Sequence, residues 1–364
     1  MNKKLLAISL AALAACGASA QTVTRLAATK ANDYGIAYSL PQTVVDITLE
    51  AEQTVATPGE FYNYAERYLG APAARKAVRT ASTKWKLLSV TMQERGVIPS
   101  GAEQYLMQFK GGTPVFVTLS DLGLPLTVNV DENPIETEAP ELPVARPLSA
   151  SPLESKAARY AVTEDMLQSS SLAKRAQLAA DQIMQLRQSR QDYLTGQAEN
   201  MPDGAALKLI LENINAQEEA LTAMFLGTVR TATSVTTVTY TPGTSSVSDR
   251  VIARLNPLKG FVAADDLSGA PVYLDYTVLT QGKLPVTEKG VEKTFPKGGV
   301  PYCIPGTAKL KVEYDGHTVG SGTFDVSQLG VVFGLEPSFF SNKKEPGYAI
   351  FDPITGALRE FGTK

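Results

Sequence analysis

Two stretches of helical periodicity, separated by a short polar connection, constrain the fold of this chain more than any other feature of its sequence. In each stretch the apolar residues recur every three or four positions and therefore share one face of a helix. The first face, which includes one charged residue, consists of Leu172, Ala176, Ala179, Ile183, Leu186, Arg190 and Tyr193. The second face consists of Leu207, Ile210, Leu211, Ile214, Leu221, Met224 and Phe225. Two such helices with a short loop predict an antiparallel hairpin over residues 170–227.

Residues that favour helix ends flank both stretches. Serine and aspartate cap helix N-termini, and glycine commonly ends a helix. The residues in these places are Ser170 or Ser171, Gly196, Asp203 and Gly227. Arg190 interrupts the apolar face, and two arrangements are open: it pairs with a carboxylate inside the hairpin, or it marks the point where the hairpin opens to solvent. The second costs less free energy, because a buried ion pair must be desolvated.

Alternating apolar and polar residues on both sides of the hairpin predict β-strands. Val45, Ile47 and Leu49 are apolar, with Asp46 and Thr48 between them, which is typical of a strand with one buried face. Other strands are predicted over 34–40, 85–94, 105–109, 115–119, 124–130, 231–240, 251–255, 272–279, 308–314, 318–326, 348–351 and 357–361, and a short helix over 60–69. The predicted fold class is α+β, with two β-rich regions and a long antiparallel helical hairpin between them.

The chain divides into four predicted segments. Residues 1–20 are a signal peptide, and residues 21–130 form an N-terminal α+β domain. Residues 131–160 contain prolines at 134, 140, 143, 147 and 152, a density that disfavours helices and sheet ladders and predicts a linker. Residues 161–364 form a C-terminal domain, in which the hairpin precedes a β-sheet region over 231–364.

The first twenty residues predict export by a bacterium. Lys3 and Lys4, an apolar run over 5–15 and the small residues Ala18-Ser19-Ala20 follow the order of a secretory signal peptide. Residues 13–16, Leu-Ala-Ala-Cys, also fit a lipobox, in which Cys16 would carry a lipid anchor. We expect an exported protein of the periplasm or cell envelope, with ordinary cleavage slightly favoured and an outer-membrane lipoprotein as the alternative.

Composition argues against several classes of function. The net charge is −3 and no basic stripe occurs, so we expect no nucleic-acid partner. No apolar run after the leader reaches the roughly 20 residues that a membrane span needs. His317 is the only histidine and Cys303 the only cysteine outside the leader, so a structural zinc site cannot be assembled and catalysis by a Cys–His pair is disfavoured. Neither a dinucleotide-binding nor a Walker A motif occurs, and no cofactor is predicted.

Several short phrases, taken in order, resemble a known family. They are Tyr38-Ser39-Leu40-Pro41-Gln42-Thr43, Tyr64-Ala65-Glu66-Arg67-Tyr68-Leu69-Gly70, Tyr193-Leu194-Thr195-Gly196 through Asp203-Gly204 to Gln217-Glu218-Glu219-Ala220-Leu221, Asp265-Asp266-Leu267-Ser268-Gly269, and Phe351-Asp352-Pro353-Ile354-Thr355-Gly356. In this order the chain resembles an uncharacterised secreted family of gut Bacteroidetes, domain of unknown function family 4831. The resemblance implies an exported location and a bacterial group, and it brings no activity and no functional residue.

Three residues are candidate contacts with a ligand or partner. Tyr62 points away from the apolar face of its predicted helix, where an aromatic ring with a polar tip suits a sugar or a protein partner. Asp265 and Asp266 carry oxygens that suit Ca²⁺, although the ligand spacing of a calcium loop is absent and a turn role is favoured. No catalytic or metal-binding residue is predicted.

Three classes of function fit these features. The favoured hypothesis is an exported non-enzymatic protein that binds or scaffolds other envelope components, because a rigid hairpin between β regions suits protein–protein contact. A glycan-binding module is the second, and a hydrolase that uses carboxylates without histidine is the third. The expected partner is accordingly an envelope protein or a glycan.

Overall fold

A computed structural model describes most of the chain. The described residues are 24–28, 36–102, 104–107, 115–130, 141–296, 299–340, 342 and 344–363. The predicted signal peptide, Cys16 and the first ten residues of the predicted linker lie outside the described residues.

Seven α-helices and two short 3₁₀ turns occur among these residues. The helices are α1 (Ala65–Leu69), α2 (Ala71–Ala74), α3 (Lys156–Ala161), α4 (Glu164–Gln168), α5 (Leu172–Thr195), α6 (Gly204–Leu226) and α7 (Pro337–Phe340), and the 3₁₀ turns are Tyr62–Tyr64 and Pro152–Glu154. The helix predicted over 60–69 therefore begins as a 3₁₀ turn and becomes α-helical only at Ala65. Gly70, with a φ of 84°, ends it.

Fifteen strands make up the β structure of the described residues. They are β1 (Thr24–Ala28), β2 (Ile36–Ser39), β3 (Gln42–Thr57), β4 (Ser82–Val97), β5 (Gln104–Met107), β6 (Val115–Leu119), β7 (Pro125–Val128), β8 (Thr228–Tyr240), β9 (Val247–Asn256), β10 (Gly260–Val262), β11 (Ala270–Thr280), β12 (Val300–Tyr314), β13 (His317–Leu335), β14 (Gly347–Phe351) and β15 (Leu358–Thr363). The α+β class is confirmed.

The largest core lies between two antiparallel sheets. One is the three-stranded sheet β4-β3-β8, and the other is the core sheet β10-β9-β11-β12-β13. Val45, Ile47 and Leu49 on β3 are fully buried and belong to one apolar cluster with Leu274 and Leu310 of the core sheet. The alternation in the sequence of β3 thus supplies the face that packs against the second sheet, and each such side chain contributes about 1.5–3 kcal/mol of burial.

A third sheet joins the beginning and the end of the described chain. This terminal sheet has the order β1-β6-β7-β14-β15, and a two-stranded ladder, β2 with β5, contributes to the same apolar cluster. Strands from the predicted N-terminal and C-terminal domains therefore share the terminal sheet, and β3 pairs with β8 in the same manner. The division at residues 131–160 stays a prediction about which segments fold alone.

Helices α5 and α6 form the predicted antiparallel hairpin. Ser171 caps α5, Gly196 ends it in the left-handed conformation, and Asp203 caps α6, as their positions predict. Ile183 and Ile214 are buried in the cluster that the hairpin shares with α1, α2, α3 and α4. Helix α3 replaces the last residues of the predicted linker, and its N-cap is Ser155. No helix among the described residues has the length and hydrophobicity that a membrane span requires.

Candidate functional site

A cavity lies in the corner between the helical hairpin and the start of β8. Its volume is about 560 Å³, and it is open to solvent. One wall is α6, a second is α5 at Arg187 and Arg190, and a third is the extended segment 149–152 that crosses beside β8. Arg230 on β8 forms the remaining side. We call this the arginine cavity.

Helical spacing brings the residues of the α6 wall together. Asn215, Glu218 and Thr222 are three and four positions apart, so they lie on one face of α6. Arg187 and Arg190 are also three positions apart, and the antiparallel hairpin places them opposite that face. Periodicity alone predicts this half of the cavity.

A glycine brings β8 to the cavity. Gly227 ends α6 with a φ of 77°, and a side chain there would collide with the carbonyl oxygen of Thr57. Because only glycine fits this turn without strain, the chain passes directly from α6 into β8. Segment 141–151 then pairs with β8 at Arg146 and Thr233, which holds the third wall in place.

Two arginines hold one carboxylate inside the cavity. Arg187 Nε lies 2.6 Å from Glu218 Oε1, and Arg190 Nη1 lies 2.6 Å from Glu218 Oε2. Arg190 Nη1 also donates to Asn215 Oδ1 at 3.1 Å. The Glu218 side chain is only 13% exposed, whereas that of Arg190 is 35% exposed. Of the two arrangements considered for Arg190, the ion pair is present, and partial exposure reduces its desolvation cost.

Both carboxylate oxygens of Glu218 are occupied by arginine donors. Each oxygen accepts a charge-assisted hydrogen bond, the strongest ordinary kind in proteins. Both oxygens are thereby engaged by the two arginines, which links α6 to α5.

Arg230 is the unusual member of the site. Its Nε atom is buried and has no hydrogen-bond partner among the described residues. A buried donor without an acceptor costs about 1–3 kcal/mol, more when it is charged. The arginine cavity therefore contains a donor that the described chain does not satisfy.

The outer half of the hairpin differs from its base. Between Arg187 on α5 and Asn213 on α6 no residue is fully buried, whereas the base is packed against the other helices. Leu194 is 64% exposed, Met201 is 50% exposed and Leu209 is 60% exposed. We call the outermost part of the hairpin, residues 191–213, the hairpin tip. It extends beyond the buried part of the hairpin: Tyr193 and Ile210 still pack against the helical cluster, whereas Leu194, Met201 and Leu209 lie in solvent.

A comparison with known protein families identifies a match over most of the chain. A domain of unknown function, DUF4831, matches residues 34–359. The chain belongs to the DUF4831 family. No curated protein and no solved structure matches it. The family carries no described activity, so the function of this DUF4831 chain has to be argued from its own residues.

The sequence-predicted contact residues lie away from the arginine cavity. Tyr62 is half-buried in the 3₁₀ turn before α1. Asp265 and Asp266 lie in the turn between β10 and β11, where Asp266 Oδ1 accepts the backbone N–H of Ser268 at 2.9 Å. Hydrogen bonds from Ser268 lower the pKa of the Asp266 carboxyl. The structure does not bring Tyr62 and the two aspartates into one site, and their contact role stays a prediction.

Cys303 and His317 are also far apart. Cys303 lies within β12, and His317 pairs with Tyr314 at the far end of the same strand. At about 3.3 Å per residue the distance from Cys303 to Tyr314 is roughly 35 Å. Burial raises the pKa of the Cys303 thiol to about 11, which keeps it protonated at neutral pH. A Cys–His nucleophile is thus not assembled.

Proposed function

We propose that the chain is an exported, non-enzymatic protein of the bacterial envelope that binds or scaffolds another envelope protein. The observation that carries the proposal is the hairpin tip. An apolar surface on a helical pair is a common way of presenting anchors to a partner. The leader over residues 1–20 supports the compartment, either the periplasm or, with a lipid on Cys16, a membrane surface.

The base of the hairpin supports this role mechanically. Glu218 links α6 to both Arg187 and Arg190 of α5, and Phe61 packs on Phe225 with their rings 5.4 Å apart. These contacts hold the two helices to each other and to the body of the protein. A preorganised arm loses little conformational entropy when it binds, which favours affinity.

Site-specific photo-crosslinking in intact bacteria tests the proposal. A photoreactive residue at Leu209 is expected to give a discrete adduct with another envelope protein. The matched control is the same residue at Leu267, which is 81% exposed in the turn between β10 and β11. If Leu209 gives no adduct, or the same adducts as Leu267, the hairpin tip is not a partner surface and the proposal fails.

Glycan binding is the second candidate function, and one observation favours it. A cavity of about 690 Å³ between β12, β13 and β15 is lined by the aromatic rings of Tyr302, Phe333, Phe339 and Phe361. Aromatic faces suit the stacking of sugar rings. Phe361 is 58% exposed, so Phe361→Ala tests this candidate without removing a core side chain. Retention of the wild-type chain, but not of the variant, on a polysaccharide column would support it. The carboxylate-based hydrolase stays a third prediction.

A further inference from the structure

The side chains around the arginine cavity carry an excess of positive charge. Arg187, Arg190 and Arg230 line it together with Glu218 and Glu219. Glu218 is shared by Arg187 and Arg190, so one anion faces two cations. Arg230 has no ion pair among the described residues. The cavity is therefore electrostatically suited to one additional negative group.

The geometry of Arg230 identifies the kind of group. Its Nε is buried without an acceptor among the described residues, and the Arg230 side chain lines the cavity. A guanidinium presents its N–H donors in a planar fork that matches two oxygens of a carboxylate, sulfate or phosphate. An oxyanion in the cavity would give the Arg230 guanidinium the anionic partner that it lacks among the described residues.

The size and lining of the cavity indicate what carries the oxyanion. A volume of about 560 Å³ is far larger than a bare inorganic ion needs and lies in the range of small-molecule sites. Ser149, Asn215 and Thr222 add side chains that can hydrogen-bond a polar molecule. The lining therefore fits a small hydroxylated molecule with one anionic group.

We propose that the arginine cavity is a binding site for a small polar molecule that carries an oxyanion, with Arg230 as its direct donor. The site is separate from the partner surface at the hairpin tip. Either proposal can fail without the other, because crosslinking from Leu209 and ligand binding in the cavity are measured independently.

Calorimetric titration of the purified chain tests the proposal. The probes are glucose, glucuronate, glucose 6-sulfate and glucose 6-phosphate, which share one sugar body and differ in the group at carbon 6. At least one anionic probe is expected to bind about tenfold more tightly than glucose or better, the order that a hydrogen bond to a charged group contributes. The comparison among the three also identifies the preferred oxyanion. If none of them exceeds glucose, the proposal is wrong.

Two pairs of variants separate a specific site from general charge attraction. Arg230→Gln is expected to weaken the best probe about tenfold or more, whereas Arg75→Gln, an exposed arginine outside the cavity, leaves binding unchanged. Asn215→Asp adds a negative charge to the cavity wall and is expected to weaken binding. Asn213→Asp adds the same charge two residues earlier on α6, outside the cavity, and serves as its control.

Residues 213 and 215 are both exposed, so this second pair keeps the test valid even if Arg230→Gln disturbs folding. Equal affinity in Asn215→Asp and Asn213→Asp would overturn the assignment, as would full binding by a folded Arg230→Gln chain.

Discussion

Thr43 and Ser327 exchange hydrogen bonds between two sheets. The backbone N–H of Thr43 donates to Ser327 Oγ at 2.9 Å, and the backbone N–H of Ser327 donates to Thr43 Oγ1 at 3.1 Å. Ser327 lies where the register between β12 and β13 shifts, so the regular ladder does not use its N–H. The irregularity in β13 thus serves as the attachment point for the beginning of β3.

Replacing Thr43 tests this attachment. Thr43→Val keeps the shape of the side chain but removes the acceptor for the Ser327 N–H, at a fully buried position. We expect a loss of about 1–3 kcal/mol in the free energy of unfolding, the cost of an unsatisfied buried donor. Urea denaturation measures it, with Thr318→Val, an exposed position on the same strand as Ser327, as the control. Equal stability of the two variants would contradict the assignment.

The burial of two neighbouring residues on α5 predicts a large loss of stability from truncating one and almost no effect from truncating the other. Ile183 is fully buried, whereas Met184 is 47% exposed. Ile183→Ala is expected to cost about 2–5 kcal/mol because it leaves a cavity. Met184→Ala is expected to change stability by less than about 0.5 kcal/mol. Thermal unfolding of both variants is the measurement, and similar melting temperatures would show that the buried face of α5 is misassigned.

Glu94 predicts a pH-dependent loss of stability. Burial raises the pKa of its carboxyl from 4.5, the charges of Asp352 and Asp325 raise it further, and its Oε2 has no partner among the described residues. The folded chain holds the Glu94 proton more tightly than the unfolded chain does. The protonated carboxyl therefore contributes to the free energy of unfolding below pH 4.5, and this contribution is lost as the pH rises through the raised pKa.

The variant Glu94→Gln removes that titration. Its melting temperature is expected to rise above that of the wild type as the pH increases from 4 to 8, with little difference at pH 4. Glu199→Gln, at an exposed position, is the control and is expected to follow the wild type throughout. A constant difference across this range would exclude titration of Glu94 as the cause.

Cys303 is expected to resist alkylation in the folded protein. Its side chain is 4% exposed, and burial raises the pKa of the thiol to about 11. Since the thiolate is the reactive form, iodoacetamide at pH 8 is expected to modify Cys303 only after denaturation. Ser321→Cys supplies an exposed thiol on β13 as a positive control. Rapid modification of native Cys303, read by peptide mass, would show that its surroundings open.

The predicted signal peptide over residues 1–20 leads to a testable expectation about where the protein resides. With ordinary cleavage after Ala20 the mature chain begins at Gln21 and carries no fatty acid. With cleavage at the lipobox it begins at a lipidated Cys16. It then pellets with membranes, because two or more acyl chains anchor a protein stably. We expect the first result, and Cys16→Ser should then leave the fractionation unchanged. An acylated Cys16 in the mature mass would reverse this expectation.

The two hairpin helices, α5 and α6, were the most predictable part of the fold, whereas α2, α3, α4 and α7 were not predicted. The caps of α5 and α6 are local, and the apolar face of each is set by residues three and four apart, so the sequence alone contains the evidence for Ile183 and Ile214. The strands were less predictable at their ends. Strand β12 begins at Val300, although Pro305 argues against a strand there. The structure tolerates it because Pro305 lies at a register shift, where the ladder is already interrupted.

The arginine cavity was predictable only in part. Arg187, Arg190 and Glu218 follow from helical spacing and an antiparallel register, and that signal was available. Arg230 has no such signal. Its place depends on the turn at Gly227 and on the pairing of β8 with β3, which join residues far apart in sequence. Tyr62, Asp265 and Asp266 are candidates by residue type alone, and residue type does not indicate which side chains lie close together in the fold.

The terminal sheet places a condition on how the protein is made. Strands β6 and β7 leave the ribosome early, but β14, the neighbour of β7, is synthesised more than 200 residues later. Until β14 arrives, one edge of β7 presents unpaired N–H and C=O groups, which are a template for pairing with other chains. Such non-local pairing also forms slowly. During synthesis, protection from aggregation therefore depends on keeping this edge occupied or unfolded until β14 is available.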